Sequence, residues 1–160
     1  MKCKEFIGLM LCLAIYLMGC SHPTKEAQEA MEVIERYAGG KSLPVKISVT
    51  LDKQDGRDVF ETSVKDGVLY VNASSGVAAC RGFYEYVKSQ QAGIFSWSGN
   101  RLEWPEQMEN MPAQTVVSPY KHHYYFNTVT YGYTMPYWDW TRWEKEIDWM
   151  ALHGMDMPLA

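Results

Sequence analysis

Phosphate-cradling glycine loops, metal-ligand clusters and basic stripes are all missing from this sequence. There is no G-x-G-x-x-G, no G-x-x-x-x-G-K and no G-x-S-x-G, so the usual signatures of dinucleotide, nucleotide triphosphate and serine-hydrolase sites do not occur. The formal net charge is -4, and the Lys and Arg residues are scattered, which argues against binding a phosphate backbone and hence against a nucleic-acid partner. Histidine is scarce. His22 lies in a polar stretch, His153 at a predicted helix end, and His122 and His123 are neighbours that a strand would point to opposite faces, so no Cys/His cluster has metal-ligand spacing. No cofactor is implied. Internal repeats and low-complexity tracts are absent, and the apolar run from Phe6 to Met18 is too short to span a bilayer comfortably.

That run is informative in another way. Lys2 and Lys4 precede it and Gly19-Cys20 follows it, the layout of a cleaved secretory signal. "LMGC" at 17 to 20 resembles the bacterial lipobox, although Met18 is a less usual residue at its position. The alternative is an ordinary signal peptide with an incidental cysteine. The expectation is a signal peptide over 1–19, a lipidated Cys20 with a short tether over 20–27, and a protein exported to the periplasm or cell surface of a bacterium. It would be held on a membrane by an acyl anchor rather than crossing it. Cleavage before Cys20 removes Cys3 and Cys12 and leaves only Cys80 as a free thiol, so no disulfide framework can form. The sequon Asn72-Ala73-Ser74 is then coincidental.

Beyond the tether, Ala27, Ala30, Met31, Ile34, Tyr37 and Ala38 share one helical face, and Gly39-Gly40 ends the helix. Three strand-like runs follow at 45–51, 58–64 and 68–74, separated by "DKQDGR" and "KDG" turns. Ser74 or Ser75 caps a second helix with an apolar stripe of Val77, Cys80, Phe83, Tyr84 and Val87, and "GIFSWSG" at 93–99 reads as a fourth strand. This describes a small α+β domain of helix, antiparallel-type strands and helix over 28–112. Residues 112–123, with Pro112 and Pro119, read as a connector. The pattern then changes to a strand, "HYYFNTVTY", a helix, "WDWTRWEKEIDWMALHG", and the start of a second strand, "MDMPLA". The helix places Trp140, Trp143, Ile147, Met150 and Ala151 on one face and closes at Gly154. The expectation for 113–160 is the first βα unit of a truncated (β/α)8-like barrel, and for the whole chain a fragment of a larger protein.

The chain is 14% aromatic, more than an interior needs, so some rings are available to stack on a ligand. In a parallel barrel the ligand site lies at the strand ends, which here brings forward Asn127, Thr130, Tyr131, Tyr133, Tyr137, Trp138 and Asp139. An amide, a carboxylate and aromatic faces suit a pyranose, which offers hydroxyls to hydrogen-bond and a C–H face to stack. The same residues fit an aromatic-rich core corner in which Asp139 caps the next helix. Glu144 and Asp148 stand at i, i+4 with Glu146 between them and Arg142 and Lys145 nearby, and they read as a solvated helix face rather than a catalytic pair.

The run "YYFNTVTYGYTMPYWDWTRWEKEIDWMALHGMDMPLA" closely resembles the start of the catalytic barrel in the α-N-acetylglucosaminidases. That family includes the human lysosomal enzyme that removes terminal N-acetylglucosamine from heparan sulfate, and related bacterial glycan-degrading enzymes. Upstream, "SSGVAACRGFYEYVK" followed by "FSWSG" resembles the family's small amino-terminal domain, so the resemblance covers roughly 28 to 160. It implies a small α/β domain, a (β/α)8-like barrel and a carboxy-terminal helical domain. It also implies a retaining mechanism with two Glu residues lying beyond this segment, so that no catalytic residue falls within it. Asn127 and Tyr133 match family positions that line the sugar pocket, and Trp138 and Asp139 match the family's run. Val129 departs from the pattern, in which a Cys commonly sits beside the pocket. The implied partner is a glycan with terminal α-linked N-acetylglucosamine, such as heparan sulfate or mucin chains. The rival expectation is a non-catalytic glycan-binding surface lipoprotein, and a weaker one is a structural remnant of a broken gene.

Overall fold

A computed structural model describes residues 23–125 and 128–159. Cys20 and Asn127 therefore lie outside the described residues. Helix α1 spans Lys25–Tyr37, with the Thr24 hydroxyl accepting from the Ala27 N–H at its start. Glu26 in its first turn and Arg36 in its last complement the helix dipole. Its buried residues Ala27, Ala30, Val33 and Ile34 recur at helical spacing. Strands β1 (Val45–Val49), β2 (Val59–Lys65) and β3 (Val68–Ala73) follow, then helix α2 (Gly76–Ser89), capped by Ser75. Strands β4 (Gly93–Ser96) and β5 (Gly99–Leu102) form a hairpin, and β6 (Met111–Val117) completes a four-stranded sheet in the order β1-β3-β2-β6.

Alternation along the strands sends Val45, Leu69, Val71, Ala73, Phe60 and Val64 into one core with α1 and α2. Gly82 shows how closely α2 lies on the sheet, since a Cβ there would come within 2.9 Å of Val71 Cγ1 and 3.0 Å of Phe60 Cδ2. The other face of the sheet carries Lys46, Ser48, Glu61, Ser63, Tyr70 and Asn72. Cys80 is buried in the core, and burial pushes its thiol up to about 12, which keeps it protonated and inert.

Three expectations need correction. The strands are not all antiparallel: β1 pairs with β3 in parallel, because the chain leaves β1 through the Gln54–Arg57 turn and lays β2 on the far side of β3. Apolar alternation is the same for either strand direction, so the pattern could not tell them apart. The segment taken for a connector from 112 is largely strand β6, paired with β2. Pro112 stands near the start of this outer strand, where a missing N–H is tolerated. The "HYYFNTVTY" run is not one strand, because only Tyr124–Tyr125 pair, as β7, and Thr128–Tyr133 form the short helix α3. Its β-branched and aromatic residues favour strand only weakly and tertiary placement overrides them.

After a 3₁₀ turn at Met135–Tyr137, helix α4 spans Trp140–Leu152. Asp139 accepts from the Arg142 N–H at its start at 2.8 Å, and Gly154 ends it at φ 74°. Strand β8 (Met157–Pro158) then pairs with β7 in parallel, so β7, α4 and β8 place a helix between two parallel strands. Helix α4 packs on α2 and inserts Leu152, fully buried, into the same core as the sheet domain. The expected apolar face is only partly used: Met150 is buried, whereas Trp140 and Ile147 are exposed.

Candidate functional site

Two places concentrate chemistry. The first is the aromatic turn between α3 and α4. Tyr133 and Tyr137 are 78% and 86% exposed, so their ring faces are open. Trp138 is half-buried, meets Trp143 edge-on with ring centroids 5.1 Å apart, and carries the Arg142 guanidinium 4.0 Å above its ring. Asp139 is exposed and acts as the helix cap already described. Of the residues put forward from sequence, the structure brings Trp138 against Arg142 and Trp143, leaves Tyr133 open, and places Asp139 on backbone. Of Thr130 and Tyr131 only the backbone, in α3, is described.

The second place is a cleft of about 390 Å³ where α1, the β4–β5 hairpin and α4 meet, lined by Tyr37, Trp97, Asn100, Arg142, Lys145 and Trp149 around Glu146. Here the expected solvated carboxylate face proves wrong. Glu146 is 0% exposed and Asp148 4%. The two stand on different sides of α4, Asp148 toward α1 and Glu146 toward β7, and each is buried with its own partner. Asp148 takes a two-pronged contact from Arg36, Nε to Oδ2 at 2.6 Å and Nη2 to Oδ1 at 2.8 Å. That hydrogen bond holds the Arg36 guanidinium above its ordinary pKa. Glu146 accepts from the Tyr125 hydroxyl at 2.8 Å and forms an ion pair with Arg142 Nη2 at 2.7 Å. Burial, then the hydrogen bond to Glu146, raise the Tyr125 phenol well above its usual range. Burial, reinforced by the charge of Asp148, pushes Tyr37 up to about 12.

These partners were hidden in the sequence because they come from distant segments. Only the Arg142–Glu146 spacing of i, i+4 was a local signal, and it reads equally well as a surface pair. Among the described residues, no group of three or more His, Cys, Asp or Glu side chains is placed to hold a metal ion. His123 instead lies against Ser118 and Arg81, and His122 against Asp156.

The geometry can now be set beside known proteins. The family model described as the alpha-N-acetylglucosaminidase (NAGLU) N-terminal domain matches residues 28–113, more than half of the chain. The chain belongs to the alpha-N-acetylglucosaminidase family. A second model of that family, its tim-barrel domain, matches residues 123–160. Human alpha-N-acetylglucosaminidase is 33% identical over 141 residues, which cover 85% of this chain and 19% of the human protein. A family 89 glycoside hydrolase from Clostridium perfringens, solved in complex with PUGNAc, is similar at a TM-score of 0.74 with 29% identity over 85% of this chain and 16% of its own. A variant of the clostridial enzyme, solved in complex with its substrate GlcNAc-alpha-1,4-galactose, aligns equally well. The chain thus spans about a fifth of the human relative's length and about a sixth of the clostridial one.

Proposed function

We propose that these residues are the amino-terminal part of an exo-acting α-N-acetylglucosaminidase that hydrolyses terminal α-linked N-acetylglucosamine from glycans such as heparan sulfate or mucin. The observation that carries this reading is that two successive models of one family match the sheet domain and the β7–α4–β8 unit in the family's order. In this reading β7, α4 and β8 open a (β/α)8 barrel. The turn between α3 and α4 then lies at the strand-end rim, where Tyr133 and Trp138 offer ring faces to the sugar, with Asn127 supplying an amide and Asp139 a carboxylate. The retaining chemistry is supplied by two glutamates outside these residues, one attacking the anomeric carbon and the other protonating the leaving oxygen. The protein is exported and held on a membrane through lipidated Cys20.

The test compares the full gene product with a protein of residues 20–160 on an aryl α-N-acetylglucosaminide. Hydrolysis by the first and none by the second is the expected outcome. Sugar release by the short form would sink the assignment of the glutamates to other segments, and no release by the full product would sink the enzyme reading. Metabolic labelling with a radioactive fatty acid, with Cys20→Ala as control, tests the anchor; equal labelling of both proteins would refute it.

A further inference from the structure

The cleft beneath α4 meets the aromatic turn at Arg142, which lines the cleft and lies over Trp138, and extends away from it to Trp149. Along α4, Trp149 stands ten residues beyond Asp139, which at 1.5 Å per residue is about 15 Å from the strand-end rim. Its volume of about 390 Å³ falls at the small end of the range of roughly 300–1,000 Å³ for ligand sites. Trp97, on the tight turn between β4 and β5, is 64% exposed. A large ring so exposed on a two-residue turn adds nothing to the core, yet it is not loose. Its ring centroid lies 6.2 Å from that of Trp149 at an interplanar angle of 54°, and Trp149 in turn packs on Tyr125, whose hydroxyl is fixed on Glu146. The ring thus rests against Trp149 while most of its surface stays open, a stacking platform.

Polar groups surround that platform. Asn100 is exposed on β5, beside the Tyr37 phenol, and offers an amide. Arg142 and Lys145 contribute two positive charges to the lining against one negative charge from Glu146. Glu146 is already neutralised by Arg142 at 2.7 Å, and among the described residues Lys145 has no ion-pair partner. An open aromatic face, an amide and one surplus cation together suit a pyranose that carries an anionic group.

We infer that this cleft is a second saccharide-binding site, taking an acidic pyranose, one bearing a carboxylate or a sulfate ester. The sugar ring stacks on Trp97, its hydroxyls meet Asn100, and its anionic group meets Lys145. Such a site would hold an acidic glycan chain on the flank of the protein while the chain's end is processed elsewhere. The binding claim stands apart from the hydrolase reading, because it depends only on the seam between α1, the hairpin and α4.

The test uses the full-length protein and titrates it calorimetrically with a sulfated, uronate-containing disaccharide that lacks N-acetylglucosamine, and in parallel with lactose. The acidic disaccharide should bind, and Trp97→Ala should weaken it by about tenfold, in line with the loss of one aromatic contact. Lys145→Gln should weaken the acidic probe and leave any lactose binding unchanged. Both side chains are exposed, and circular dichroism checks that each variant folds. Hydrolysis of an aryl α-N-acetylglucosaminide, too short to reach the cleft, should be unchanged in both. Absence of binding at millimolar concentration, binding unaffected by Trp97→Ala, or lactose binding as tight as the acidic probe would each overturn the proposal. If the aryl substrate is not hydrolysed even by the unmodified protein while Trp97→Ala still weakens binding of the acidic disaccharide, the hydrolase reading fails and the cleft stands.

Discussion

The sheet domain and the α4 region are held together by different physics. In residues 25–117 the contacts that matter are apolar: Ile34, Leu69, Val71, Phe83 and Val87 are all at or below 1% exposure in one continuous core. In residues 124–159 a single leucine, Leu152, enters that core with Ala151 packed against it; the Arg36–Asp148 ion pair and the ring contacts of Trp149 with Trp97 and of His153 with Tyr84 add to the attachment, while Tyr125 and Arg142 fix Glu146 within the region itself. The second region also leaves Tyr133, Tyr137 and Trp140 mostly in solvent. A region that buries two carboxylates while exposing three large rings is poorly suited to stand alone, since apolar surface of that kind normally finds a cover. The first region encloses an apolar core, and the second rests against it with three large rings left open.

The contrast can be broken most sharply at Phe83, fully buried on α2 and stacked on Trp104 with ring centroids 5.9 Å apart. Phe83→Ala should cost about 3–5 kcal/mol, measured by urea denaturation, and should loosen both regions together because α4 rests on α2. Survival of protection in α4 after the sheet domain melts would show that the dependence runs the other way. Arg36→Met should do the opposite and separate the regions. It leaves Asp148 buried without its partner, and since Arg36 is 40% exposed the cost should be about 1–2 kcal/mol, below the roughly 3–5 kcal/mol of a fully buried pair. Amide hydrogen exchange should quicken in α4 while β3 and α2 keep their protection. Equal acceleration throughout would mean that the ion pair supports the whole fold rather than the seam.

The same contrast decides what could be read from sequence. In the sheet domain, local rules sufficed for α1, α2 and the first three strands, because caps such as Ser75, the closing glycines and the alternating apolar residues all act over a few positions, whereas the strand expected over 93–99 is β4 and the turn of a hairpin whose second arm, β5, was missed. Strand direction was not legible, since Val45–Leu69 pairing depends on where the chain passes between 50 and 58. Strand β6 was also missed, because its residues are mostly exposed and it starts beside a proline, so it lacks the alternation that marks a half-buried strand. In the second region, the extent and cap of α4 were readable but its burial was not. Glu146 and Asp148 look like surface charges until Tyr125 and Arg36, 21 and 112 residues away, are set against them. The aromatic turn was legible as a cluster, and two of its rings, Tyr133 and Tyr137, lie open. The cleft was not, because Trp97 and Trp149 come from separate segments and carry no shared spacing.

A last and smallest effect concerns His153, at the end of α4, where the seam meets α2. Its ring stacks on Trp149 with centroids 4.1 Å apart, lies 4.8 Å from that of Tyr84, and its Nδ1 stands 2.8 Å from the Trp149 carbonyl. Burial lowers its pKa, and the nearby Lys88 adds to this, while the Trp149 carbonyl and Glu85 act against it. The folded state therefore binds its proton less readily than the unfolded chain. Between the ordinary histidine value near 6.5 and the lower folded value, the unfolded state carries more protons, so stability falls as pH drops through that window and levels off below it. Replacing His153 with Gln removes the titration. The midpoint of thermal unfolding of the unmodified chain should fall more between pH 7.5 and pH 5 than that of His153→Gln, by a fraction of the Arg36 effect. If the two fall in parallel, the acid sensitivity of the seam resides in other groups, and the polar attachment of α4 does not extend to its last turn.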